Sequence, residues 1–270
     1  MKMVHGGGIC YKNGMNNQGT TGVLSGATAG LLMRFGHFLA GTPEDGMSWT
    51  AKLYCAVVIV GGAAVLFDTL RHLNTGDAVR LAVYILCAAV LATTRLRVPG
   101  LTATVSGACI VIFTGVAGLT LGETVLIGIA TGIAQCLWKP QHPPRAVQVV
   151  FSIATLIISS AITYRCYHLL SGIHPFHMPT ILIVSEAGIY FATNTALIAG
   201  VLAVTEVRPP IQVWRQLYLW TLPHYIIFAM IGAFINDASA GMNWILCLAA
   251  MPAILYLNHA RVSRAEMQRA

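Results

Sequence analysis

Charge is what this chain has least of. Of its 270 residues only 9% are Asp, Glu, Lys or Arg, against about 25% in soluble domains. A water-facing globular fold lacks the residues to cover itself. The seven cysteines form no CxxC pair and no Cys/His zinc spacing, so neither a zinc ribbon nor a thioredoxin-type redox site is expected. Walker, GxSxG, HExxH and Rossmann fingerprints are missing. So is the paired-carboxylate core of a di-iron bundle. No soluble stretch is long enough to house a catalytic centre, and the expectation is a protein that is not an enzyme, with no cofactor and no metal.

What is present is apolar sequence, 56% of the chain, with a mean hydropathy of +0.72. A hydrocarbon core of about 30 Å takes about 20 apolar residues per helix, and runs of that kind recur. Every backbone group must be satisfied in lipid, and the runs are too long and continuous for barrel strands. The pattern predicts an all-α polytopic transmembrane bundle of about eight spans. They cover 49–70, 79–94, 101–121, 124–138, 146–170, 178–204, 217–236 and 242–258. Residues 1–48, rich in Gly, Asn and Thr at the start, read as a disordered or weakly structured extension, with Met47 as an alternative start. Residues 259–270 form a short tail.

Positive charge orients the bundle. With an even number of crossings, of the sixteen Lys and Arg only Arg71, Arg80 and Arg165 fall on the side away from the termini. Both termini are therefore expected in the cytoplasm. The net charge of +7 follows this topology, and no basic patch interleaved with aromatics suggests nucleic acid. The opposite, outer side gathers Asp68, Asp77, Glu123, Glu186 and Asp237 with His72, His168, His174 and His177.

Polar residues inside the spans are the candidate site. Glu186, Tyr190, Thr193, Asn194 and Leu197 share one helical face. Glu186 sits about a turn below the outer boundary. It either reaches up to headgroups and water or faces the bundle interior, where an intramembrane acid normally marks function. Thr193 and Asn194 read as packing groups toward small residues, Ser106, Gly107 and Ala108 or Ser152, Ser159 and Ser160. Gln135, at the end of the fourth span, reads as structural. His168, His174 and His177 are either solvated loop residues or, with Glu186, Tyr190 and Asn194, the lining of an outer vestibule that responds to protons or cations. Pro223 is expected to kink the seventh span.

The runs GLTATVSGACIVIFTGVAGLTLGETVLIGIATGIAQCLW, PPRAVQVVFSIATLIISSAITYRCYH and YFATNTALIAGVLAVTEVRPPIQVWRQLYLWTLPHYIIFAMIGA together resemble the multi-span N-terminal sensor regions of bacterial GGDEF and HD-GYP (c-di-GMP) proteins and of some histidine kinases. The resemblance spans about residues 50–258. It implies a membrane sensor that relays along its last helix to a cytoplasmic cyclase, phosphodiesterase or kinase, and a homodimer is compatible with it. The sequence departs from that pattern by reaching Ala270 without GGDEF, HD-GYP or kinase residues. A small-solute transporter, or the substrate-binding subunit of one, is the alternative.

Overall fold

The computed structural model describes residues 48–73, 77–93, 95–97, 104–138, 146–173, 178–206, 209–217 and 219–239. Eight α-helices run through them. These are α1 (Trp49–Arg71), α2 (Ala78–Thr93), α3 (Ala108–Gly118), α4 (Leu121–Leu137), α5 (Ala146–Ser171), α6 (Pro179–Glu206), α7 (Pro210–Leu217) and α8 (Leu222–Ser239). A short antiparallel pair, β1 (Arg95–Arg97) and β2 (Thr104–Ser106), interrupts them between α2 and α3, with Leu96 opposite Val105. The predicted eighth span, the extension before Ser48 and the tail lie outside the described residues.

Four helices are long and apolar enough to cross a membrane: Trp49–Arg71, Ala146–Ser171, Pro179–Thr205 within α6, and a last one over Leu219–Asp237. Large apolar side chains cover the outside of the bundle, among them Val60 and Phe67 on α1, Leu86 on α2 and Phe234 on α8. That surface suits acyl chains and not water.

The predicted third span is corrected. The sequence suggested one crossing over 101–121, but the segment divides. Thr104–Ser106 is extended, as its β-branched residues favour, and Ser106 Oγ then accepts the Ala108 N–H at 3.3 Å, opening a helix only 11 residues long. Its length is about 16 Å, half of a hydrocarbon core. Every residue of α3 from Ala108 to Val116 is buried. It is walled by α2, α4, α5 and α8.

The break after α3 has its own cause. Thr120 and Glu123 form a capping box, which starts α4 afresh. The Glu123 N–H donates to Thr120 Oγ1 at 3.3 Å, while Glu123 Oε2 accepts from the Thr120 N–H and hydroxyl at 3.0 Å each. His168 on α5 closes the other side of the junction: its Nε2 lies 3.1 Å from the Val116 carbonyl in the last turn of α3.

Small residues let the long helices approach closely, the usual device in lipid. A Cβ on Gly62 of α1 would lie 2.6 Å from Ala154 Cβ of α5, so these backbones touch. At the end of the bundle where α1 and α5 finish, Arg165 meets Asp68 at 2.8 Å, both well exposed. This ion-pair end also holds the start of α4 and of α6.

The predicted kink at Pro223 does not occur within a helix. A 3-10 turn, Leu219–Thr221, separates α7 from α8, and Pro223 is the second residue of α8. Proline is tolerated there because a first-turn N–H has no intrahelical acceptor to lose.

Candidate functional site

Helix α6 carries the site. Glu186, two turns in from the ion-pair end, is 2% exposed, and among the described residues its Oε1 has no hydrogen-bond partner. The acid does not reach up to headgroups; it faces the protein. One turn further along the same face stands Tyr190, fully buried, its hydroxyl also unpartnered. Burial without a partner costs a polar group on the order of 1–3 kcal/mol, and here two such residues stand one helical turn apart on one face.

The walls are aromatic. Tyr167 on α5 lies within electrostatic reach of Glu186. Phe113 of α3 meets the Tyr190 ring edge-on, with centroids 5.3 Å apart at 77°. Tyr225 of α8 lies 6.1 Å from Tyr190 and 5.5 Å from Phe191. Below, the Tyr190 hydroxyl faces the thiol of Cys109, the second residue of α3. The buried N-terminus of α3 thus comes up against Tyr190, with the partial positive charge that helix starts carry.

The remaining candidates divide. Thr193 and Asn194, three and four residues beyond Tyr190, are half-buried. Thr193 does not hydrogen-bond across to a neighbouring helix; its hydroxyl donates back to the Ile189 carbonyl at 2.8 Å and reaches the Tyr190 carbonyl at 3.1 Å. Local back-bonding satisfies a hydroxyl without help from another helix. Gln135 is half-buried near the end of α4. His168 stacks on Tyr164, centroids 4.2 Å apart, and turns to Val116 instead of Glu186. His174 and His177 lie outside the described residues. Among the described residues no three His, Cys, Asp or Glu side chains converge as metal ligands do.

Two groups were not singled out by the sequence reading. Glu123 is a second fully buried acid, and Oε1 is its unpartnered oxygen. Its signal was legible as Thr120-x-x-Glu123 ahead of an apolar run. The other is Trp214 on α7, whose Nε1 donates to Thr195 Oγ1 at 2.7 Å, while its rings lie 5.6 Å from Phe191. No spacing rule announces a contact between two consecutive helices.

A continuous path of rings and one hydrogen bond results. It runs Phe113, Tyr190, Tyr225, Phe191, Trp214 and joins α3, α6, α8 and α7. Comparison of the chain with protein-family models, with curated proteins and with solved structures finds no match.

Proposed function

We propose that this protein is a membrane sensor that binds a small polar ligand around Glu186, in the outer half of a bacterial inner membrane. The bound state shifts α6, and α7 carries the shift to a cytoplasmic signalling partner. The observation that carries this reading is that one helix, α6, holds the unpartnered buried acid toward one end and clamps α7 through Thr195 and Trp214 toward the other.

An intramembrane acid is expensive. Among the described residues Glu186 takes part in no ion pair that would repay its burial by structure alone: the salt bridge there, Asp68 to Arg165, lies elsewhere. A ligand that binds Glu186 more tightly in one packing of α6 than in another moves the equilibrium between them by that difference. Packed rings transmit such a move because they rearrange between discrete states and do not deform smoothly.

Backbone hydrogen exchange of the full chain in nanodiscs tests the relay. Glu186→Gln is expected to alter protection in α7. A change confined to the turn around Glu186, with α7 untouched, defeats the relay.

Transport is the second reading, favoured by α3. A buried half-length helix that starts in mid-bundle is the construction solute carriers use at their binding sites. Proteoliposome uptake of a labelled solute that Glu186→Gln reduces would move the assignment to transport.

A further inference from the structure

The α3–α4 junction exchanges one hydrogen bond for another. In an unbroken helix the Thr120 N–H would donate to the Val116 carbonyl, four residues back. Here it turns to Glu123 Oε2 at 3.0 Å, and His168 Nε2 of α5 takes its place, 3.1 Å from the Val116 oxygen. A carbonyl only accepts, so Nε2 carries the hydrogen and donates it. One turn earlier on α5, Tyr164 packs on the His168 ring, and its hydroxyl lies beside the backbone of Leu121, the first residue of α4. Two side chains of one helix thus grip the end of α3 and the start of α4.

We infer that His168 is a proton-binding group: a proton taken up by its ring tightens this grip, so that acidity at the ion-pair end is a signal the bundle reads. The inference goes beyond the Glu186 reading and needs no ligand at that acid. His168 is exposed, although the carbonyl it holds belongs to a fully buried residue. Histidine is the side chain that gains charge on mild acidification. A charged donor makes the stronger hydrogen bond, and here it would stand at the negative end of α3. Glu123 lies behind the pair, fully buried and within electrostatic reach of Tyr164. Among the described residues its Oε1 is unpartnered and it makes no ion pair. The other ionisable groups at this end are accounted for. Tyr167 lies 5.4 Å from the His168 ring, with Glu186 of α6 beyond it. From α1, Asp68 pairs with Arg165, and His72 bonds the Asp68 carbonyl. Asp237 of α8 is exposed, next to the Asn236 that lies against Gly118.

The alternative state is defined by the same atoms. When the grip of His168 weakens, the Thr120 N–H can return to the Val116 carbonyl, which extends α3 by a turn and opens the capping box. Packed helices shift between such discrete arrangements. A shift of α3 would reach α6 directly, because Phe113 of α3 packs edge-on against Tyr190.

Hydrogen exchange of the full chain in nanodiscs tests the assignment at about pH 5.5 and about pH 8, either side of ordinary histidine titration. Each variant is read against the unaltered chain at the same pH, so that the intrinsic exchange rate cancels. His168→Gln keeps an N–H donor and cannot be charged. At the higher pH its junction amides, 119–124, should match the unaltered chain within about twofold. At the lower pH they should be about threefold or more less protected, as for a charge lost from a helix C-terminus. His168→Ala removes the donor and should lose protection at both. A deficit in His168→Gln that is the same at both pH values, or none at either, overturns the proton. So does a deficit larger at the higher pH. His168→Ala behaving as the unaltered chain overturns the grip itself. In Glu186→Gln the pH response of the junction should persist, whatever becomes of α7; its disappearance there would assign the proton to Glu186 and overturn His168.

Discussion

Trp214 Nε1 donates a 2.7 Å hydrogen bond to Thr195 Oγ1, and through it the eight-residue α7 is fastened along the side of α6. The same hydroxyl donates onward to the Phe191 carbonyl within its own helix. Ala199, Leu202 and Ala203 pack into a small cluster against the indole. Helix α7 is strongly amphipathic by sequence, with Gln212 and Arg215 among its polar residues. A helix this short has little stability of its own, so its position depends on this anchor.

Trp214→Phe should therefore loosen α7 while sparing the bundle. The ring still packs on Phe191, but the indole N–H is lost, a change of about 1 kcal/mol. Hydrogen exchange should accelerate across 210–217 with little change in α5. Thr195→Val should loosen α7 likewise, and the double variant should cost less than the two singles combined, since both remove the Trp214–Thr195 bond. Full additivity would mean that the two residues act separately.

Gly62 and Ala154 hold α1 to α5 at backbone distance. In Gly62→Ala the new methyl would sit 2.6 Å from Ala154 Cβ and 2.8 Å from its Cα. No flexible side chain can swing aside, so the helices must part, at about 1–3 kcal/mol as for other overpacked contacts. Unfolding in mixed micelles measures this. At Gly61 the nearest atom to such a methyl is Ile158 Cδ1 at 3.7 Å, and Gly61→Ala should be neutral or slightly stabilising. Equal costs at the two glycines would remove the close contact from the fold.

The capping box at the α3–α4 junction gives a local prediction. Thr120→Ala removes the acceptor for the Glu123 N–H and the hydroxyl that bonds Glu123 Oε2. A lost N-cap costs about 0.5–2 kcal/mol, and here a fully buried carboxylate also loses a donor, which places the effect at the upper end. Thr120→Ser keeps the hydroxyl and should restore most of the stability. If Ala and Ser behave alike, the junction is held by something other than this cap.

The long spans α1, α5 and α6 were legible because nothing competes with hydropathy over 23 or more residues. The third was misread because hydropathy does not distinguish a strand and a half-helix from a single crossing. ATVSGACIVIFTGVAG carries no charged residue, and the start of α3 depends on one serine hydroxyl and a glycine. Pro223 was misplaced for a related reason. Its effect depends on whether the helix already runs before it, and the turn at Leu219–Thr221 means that it does not. At the site, helical periodicity brought Glu186 and Tyr190 together correctly. Their surroundings come from other helices, Phe113 from α3, Tyr167 from α5 and Tyr225 from α8, and periodicity along one helix carries no such information.

Glu186 itself supplies the most direct test of whether the acid serves the fold or a ligand. A buried carboxylate that anchors structure destabilises the protein when it is removed, because its partners are left unmatched. Among the described residues Glu186 Oε1 has no partner to abandon, and Met has similar volume without the polar group. Glu186→Met should therefore leave stability unchanged or raise it, by about 1–3 kcal/mol, while eliminating the response to any ligand bound there. Stability bought at the expense of activity is the pattern of a functional group held in an unfavourable place. Tyr190 serves as the internal comparison. Its ring fills the core against Phe113 and Tyr225, so Tyr190→Ala should lose about 3–5 kcal/mol whatever its hydroxyl does. If Glu186→Met is destabilising on that scale too, the acid is a structural element and the functional reading of α6 fails with it.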